Sequence, residues 1–220
     1  QLEMTPFETG SMELGGYIPL NAFGRTFNAG FSTNKAPMPR LGYLMGIWGS
    51  AISASVKEIL YMYLKNTRHE RALRFLPAKM PNFMYKIDNA PHADEKNLTI
   101  IDAGLAANIP TTPLLAPGRN VDVIIICDAS STVENAPELK KAEQQAYQCG
   151  YAFPPIDYDR AGQEICSIFE SNDPHTPTIV YIPRIANANY DPKFDPADHL
   201  DLNGFLNTFH FTYTPEQAQL

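Results

Sequence analysis

"NLTIIDAGLAANIPTTPLLAPGRNVDVIIICDASS", Asn97 to Ser131, is the stretch on which the fold turns. Two apolar runs in it, 98–101 and 121–127, are rich in β-branched side chains and flanked by Gly, Pro and Asn, the pattern of strands. The second is apolar almost without interruption, which predicts a strand covered on both faces. The first stops on a carboxylate, Asp102, with Ala103 and Gly104 directly after it. A carboxylate leaving a core needs compensating hydrogen bonds or a task. One reading makes Asp102 the cap of the following turn, accepting backbone N–H groups. The other makes it a general base at the C-terminal edge of a sheet, where open α/β folds place their sites. Spacing alone leaves both open.

Downstream, Pro137 opens a helix, "PELKKAEQQAYQCG", that Gly150 closes. "TPTIVYIP", residues 176–183, is a further strand. Upstream, Ser50 caps a helix whose apolar positions Ile52, Val56, Ile59, Leu60, Tyr63 and Leu64 follow helical spacing, and Thr67 with Glu70 forms a second capping box. Residues 77–96 read as a surface connection, and the Gly- and Pro-rich first forty as an irregular, aromatic-bearing segment. Strands interleaved with helices predict an α/β layer fold with a mostly parallel central sheet. There is no internal repeat.

With 220 residues, 44% of them hydrophobic and 19% charged, the chain can bury one core of good size. A net charge of −7 argues against a nucleic-acid partner, which needs a concentrated positive face. No uninterrupted apolar stretch is long enough to cross a bilayer, so membrane contact is expected to be peripheral. Cys127, Cys149 and Cys166 show no C-x-x-C spacing and predict buried free thiols in a reducing, cytoplasmic setting. The single sequon at Asn97 carries little weight. The first residue is Gln1, with no leader, and the last eight, "YTPEQAQL", place a cap (Thr214, Pro215, Gln217) before hardly more than a turn. Both ends are therefore expected to be internal to a longer protein.

The nucleophile motif of sheet-borne serine hydrolases, G-x-S-x-G, is absent: Ser32 has half of it ("GFSTN") and Ser50 has a misplaced glycine ("WGSA"). Neither G-x-G-x-x-G nor a P-loop is present, so nucleotide binding has no phosphate cradle. Asp88, His92 and Asp94, and the group Asp195, Asp198, His199 and Asp201, match no metal-ligand spacing and read as solvated acidic loops. No second histidine follows His69–Glu70 to make H-E-x-x-H, and no metal or cofactor is expected.

Four ordered blocks carry a resemblance. Asp102-Ala103-Gly104, Asn108-Ile109-Pro110 and Arg119-Asn120-Val121-Asp122 form one; "MTPFETGS" (4–11), "LMGIWGSAIS" (44–53) and "GFLNTFHFTYTPEQAQL" (204–220) are the others. Together they resemble the catalytic domain of the cytosolic phospholipase A2 and fungal phospholipase B (lysophospholipase) family, C-terminal portion. The likeness runs from about residue 3 to 220 and weakens over 66–96, where the family varies. It implies a patatin-like α/β domain, incomplete in this chain, with 1–220 as the C-terminal part of one catalytic domain. It implies a Ser–Asp dyad acting on acyl esters of phospholipids or lysophospholipids at a membrane surface. Asp102 then corresponds to the general base; Arg119 to an arginine near the site, facing phosphate or holding a structural ion pair; Asn108 orients the loop. Asp122 and Asp128 are read as structural. The family's serine and glycine-rich oxyanion loop precede the "TPFE" block, so the isolated chain is expected to be inactive. The rival from another class is a lipid-binding or interaction module that kept the scaffold without the serine.

Overall fold

The computed structural model describes residues 1–49, 78–201, 203–207, 210 and 212–219. The helix expected from Ser50 and the Thr67–Glu70 capping box lie outside the described residues. The chain divides into two compact units, Gln1–Ala107 and Asn108–Leu220.

In the first unit, β1 (Glu3–Met4), β2 (Glu8–Ser11) and β3 (Gly16–Pro19) form an antiparallel meander. β4 (Phe27–Asn28) and β5 (Phe31–Ser32) form a hairpin whose turn residues Ala29 and Gly30 have φ of 47° and 82°. Two positive φ values give the primed turn whose twist matches paired strands. α1 (Leu41–Trp48) buries Leu44 and Ile47 against Leu20, Phe23 and Met80. β6 (Ala78–Pro81) pairs antiparallel with β7 (Asn97–Ile100), so 77–96 is no mere surface connection. The loop between them buries Phe83 and Met84 with Leu98. Asn82, itself buried, holds that loop: its Nδ2 donates to the carbonyls of His92 and Glu95, both at 2.8 Å, and its Oδ1 accepts from Met84 N–H at 2.9 Å. The first forty residues are likewise more regular than expected. Strands of two to four residues are too short to show a period, and their pairing is what makes them strands.

The second unit holds α2 (Thr112–Leu115), β8 (Val123–Asp128), α3 (Pro137–Gln148), α4 (Tyr158–Ala161), β9 (Ser167–Phe169) and β10 (Thr178–Pro183). The sheet order is β8-β10-β9, with β8 and β10 parallel from Val123–Thr178 to Asp128–Pro183 and β9 antiparallel to β10. Parallel neighbours require a crossover, and α3 lies in it. α3 places Leu139, Ala142 and Ala146 on a core of Ile124, Ile126, Phe169, Ile179 and Tyr181. Gly150, at φ 74°, closes it as expected. The result is a mixed α/β layer.

Two details depart from expectation. β8 runs 123–128, not 121–127, and alternates: Ile124, Ile126 and Asp128 are buried while Val123, Ile125 and Cys127 are exposed. Cys127 and Cys166 are exposed thiols and Cys149 is half-buried; for Cys127 the reason is the alternation along β8, which turns it outward. The C-terminal capping box is formed: Thr214 N–H donates to Gln217 Oε1 at 3.0 Å, and Gln217 N–H to Thr214 Oγ1 at 3.2 Å. No helix among the described residues is long and apolar enough to cross a membrane.

Candidate functional site

β7 delivers the chain to Asp102, which caps a 3-10 turn, Ala103–Leu105. Its Oδ1 accepts the Gly104 N–H at 2.7 Å. The cap reading is thus realised, and it occupies one carboxylate oxygen. A carboxylate has two, so capping does not exhaust the group. Asp102 is half-buried, and Oδ2 takes no hydrogen bond among the described residues.

Asp102 lines a cleft of about 780 Å³ that belongs wholly to the first unit. That volume is in the range of small-molecule sites, which are mostly apolar with a few placed polar groups. Its walls come from three separate stretches of sequence: Met4 and Ser11 from the first block, Ile47 and Trp48 from the second, Ile100, Ile101, Asp102 and Ala103 from the third. The Trp48 indole N–H donates to Met4 Sδ at 3.2 Å, tying the first two blocks together. His92 and Glu95 also line the cleft, with Nδ1 and Oε1 2.8 Å apart. Composition and spacing missed Met4, Ile47, Trp48 and this pair as cleft residues. The signal available was the presence of the first three on the resemblance blocks.

Asn108 and Arg119 belong to the second unit. Asn108 is exposed, and its backbone N–H donates to the buried Glu138 carboxylate at 2.9 Å, so the loop start is held through main chain. Arg119 is exposed; it follows α2 with its N–H on the Ala116 carbonyl at 3.2 Å, just before Asn120 at φ 49°.

A second polar cluster stands at the C-terminal ends of β8 and β10. Buried Asp128 accepts the Tyr181 hydroxyl at 2.6 Å and the Ser130 N–H at 2.9 Å. Burial, then the bond to Asp128, pushes the Tyr181 phenol well above its ordinary value, so it stays a neutral donor. Arg184 donates from Nη2 to the Ser130 carbonyl at 2.7 Å, and burial lowers its guanidinium. Each Asp128 oxygen thus accepts one hydrogen bond within the second unit.

Neither acidic loop gathers ligands: among the described residues no three His, Cys, Asp or Glu side chains could share a metal ion. Asp195 caps its own 3-10 turn through Ala197 N–H at 2.9 Å, and the His199 ring lies between Phe194 and Phe205, with centroids at 5.3 and 4.7 Å.

No protein-family model matches the chain. It is 26% identical over 255 residues to human cytosolic phospholipase A2 zeta, an alignment covering 83% of this chain and 30% of that protein. It is 27% identical over 251 residues to a lysophospholipase of Arthroderma benhamiae, covering 92% of this chain and 39% of the other. Among solved structures, human GIVD cytosolic phospholipase A2 superposes with a TM-score of 0.71 at 21% identity, over 86% of this chain and 33% of that one. The same enzyme in complex with methyl gamma-linolenyl fluorophosphonate and terbium chloride gives 0.70 at 20% identity, over 99% and 34%. The chain therefore spans about a third of the length of these relatives. Its fold is that of their catalytic domain, and its homologues are cytosolic phospholipases A2 and a fungal lysophospholipase.

Proposed function

From that kinship we propose that residues 1–220 are the C-terminal part of a phospholipase A2 or lysophospholipase catalytic domain, working by a serine–aspartate dyad whose serine lies outside this chain. The observation that carries the reading is the cleft: three stretches that resemble the family in sequence, far apart along the chain, line one largely apolar cavity with a carboxylate in its wall. Chance motif matches have no reason to converge in space.

In the reaction, the serine hydroxyl gives its proton to the free oxygen of Asp102 while Oγ attacks the ester carbonyl. Protonated Asp102 then gives that proton to the leaving alcohol as the acyl-enzyme forms; Asp102, again a carboxylate, deprotonates the water that attacks the acyl carbonyl and returns the proton to the serine oxygen as the fatty acid leaves. The Gly104 N–H fixes the carboxylate without consuming that second oxygen. By the resemblance, Arg119 would correspond to an arginine that meets phosphate or holds a structural ion pair, and Asn108 to a residue that orients its loop. The apolar walls would take acyl chain, and the parent would act as a cytoplasmic protein, peripherally at phospholipid surfaces. Without serine and oxyanion donors, residues 1–220 alone have no nucleophile to activate and would not turn over.

The test is Asp102→Asn in the longer polypeptide. Asn caps about as well as Asp, so the melting temperature stays within about 1 °C while turnover falls at least about 10²-fold. Retained hydrolysis would sink the dyad. Liposome binding without product release by the unaltered longer polypeptide would favour the non-catalytic module instead.

A further inference from the structure

We infer that Met4 is a reversible oxidation site of the cleft: hydrogen peroxide converts its thioether to the sulfoxide, and the oxidised side chain weakens the hold of the cleft on an acyl chain. The second half of the inference rests on the reading above that the apolar walls take acyl chain.

α1 is tied near each end by a hydrogen bond to sulfur. In its first turn the Tyr43 hydroxyl donates to Met80 Sδ at 2.8 Å, and at its last residue the Trp48 indole N–H donates to Met4 Sδ at 3.2 Å. The two thioethers stand in opposite surroundings. Met80 is 1% exposed, in a core with Phe23, Leu44 and Ile47, where a solute does not reach it. Met84 is buried too, with Phe83 and Leu98. Met4 is half-buried and lines the cleft beside Ile47, Trp48, Ile100 and Asp102, and it is the only methionine among the described residues that does so.

A thioether is a weak acceptor, and the indole engages one of its two lone pairs. The other attacks an oxygen of hydrogen peroxide. The S–O bond forms as the O–O bond breaks, and the departing hydroxide takes the proton left on the transferred oxygen and leaves as water. Sulfur loses two electrons and the peroxide gains them. The product is polar and chiral where the thioether was apolar, and methionine sulfoxide reductases reverse it. Its oxygen is a stronger acceptor than sulfur, so the Trp48 N–H has a better partner after oxidation than before. β1 cannot back away from the change, because Met4 is held in register opposite Thr9. The new oxygen therefore stands in a wall where the side chains of Ile47, Ile100 and Ile101 offer it no donor. An acyl chain laid over it must strip its water, which costs binding.

The test treats the longer polypeptide with hydrogen peroxide and follows each methionine by peptide mass, in the native protein and after unfolding in urea. Expected is oxidation of native Met4 within about tenfold of its unfolded rate, with Met80 at least about tenfold slower than Met4. Affinity for dansyl-labelled undecanoic acid should fall at least about fivefold on oxidation and return after treatment with methionine sulfoxide reductase. In Met4→Leu, which keeps the volume and removes the sulfur, the same treatment should change affinity less than about twofold. Each protein is compared with its own untreated sample, so the basal affinity of the variant does not enter. Met4 oxidised no faster than Met80, no binding of the probe before oxidation, an affinity that oxidation leaves unchanged, or an equal loss in Met4→Leu would each overturn the proposal. Phospholipid hydrolysis by the untreated polypeptide reports separately on the enzyme reading: hydrolysis with Met4 inert defeats only the oxidation site, and a Met4-dependent loss of affinity without hydrolysis defeats only the enzyme.

Discussion

Tyr181→Phe removes one oxygen from the centre of the second unit and nothing else. The ring is fully buried and keeps its packing, so no cavity opens. What disappears is the 2.6 Å hydrogen bond from the phenol to Asp128 Oδ2, whose residue is itself buried. A hydrogen bond to an ionised group contributes about 1.5–3 kcal/mol, and the loss is felt in full because no water replaces the donor. The Ser130 N–H still serves Oδ1, which keeps the loss from being larger. For a chain of this length each kcal/mol moves the melting temperature by about 2–4 °C, so a fall of roughly 3–12 °C is expected. Urea unfolding should show the midpoint falling with an unchanged m-value. Repeating the substitution in an Asp128→Ala background should leave it nearly silent, giving a coupling of about 1.5–3 kcal/mol. A Tyr181→Phe protein within about 0.5 kcal/mol of the parent, or additive with Asp128→Ala, would refute the reasoning, because it would mean that Asp128 is hydrated.

Leu139→Ala, at a fully buried position of α3, should cost about 2–5 kcal/mol in urea unfolding. A cost below about 1 kcal/mol would mean that the α3 packing is wrong. Gly10→Ala should destabilise by about 1–3 kcal/mol or more, since its Cβ would lie 2.3 Å from the Gly16 carbonyl oxygen, an atom of rigid backbone. An unchanged melting temperature would contradict the β2–β3 register. Bonds from the Ser167 hydroxyl and the Arg160 guanidinium hold the Glu164 carboxyl below its ordinary value of 4.5. Its folded pKa is thus depressed, and its contribution is present above 4.5 and lost as the pH falls through the folded value. Glu164→Gln should therefore flatten the acid limb of a melting-temperature profile, and an identical limb would rule the linkage out.

Much of this protein could be read from the chain because the signals were local. Pro137 and Gly150 bound α3 by their own backbone limits, 178–183 is long enough to show β-branched character, and the Thr214–Gln217 cap forms within one turn. Asp102 was marked by its place after a strand, and the cap reading of it is local too, because its bond to the Gly104 N–H closes within two residues. The tertiary structure decided what depends on distant partners. β1–β6 are too short for a period and exist by pairing. Met4, Trp48 and Asp102 share a cleft only because three stretches fold together. The faces of β8 could not be told apart from its sequence, because both are apolar; only the packing of α3 chose Ile124 and Ile126 for the core and left Val123 and Ile125 outside.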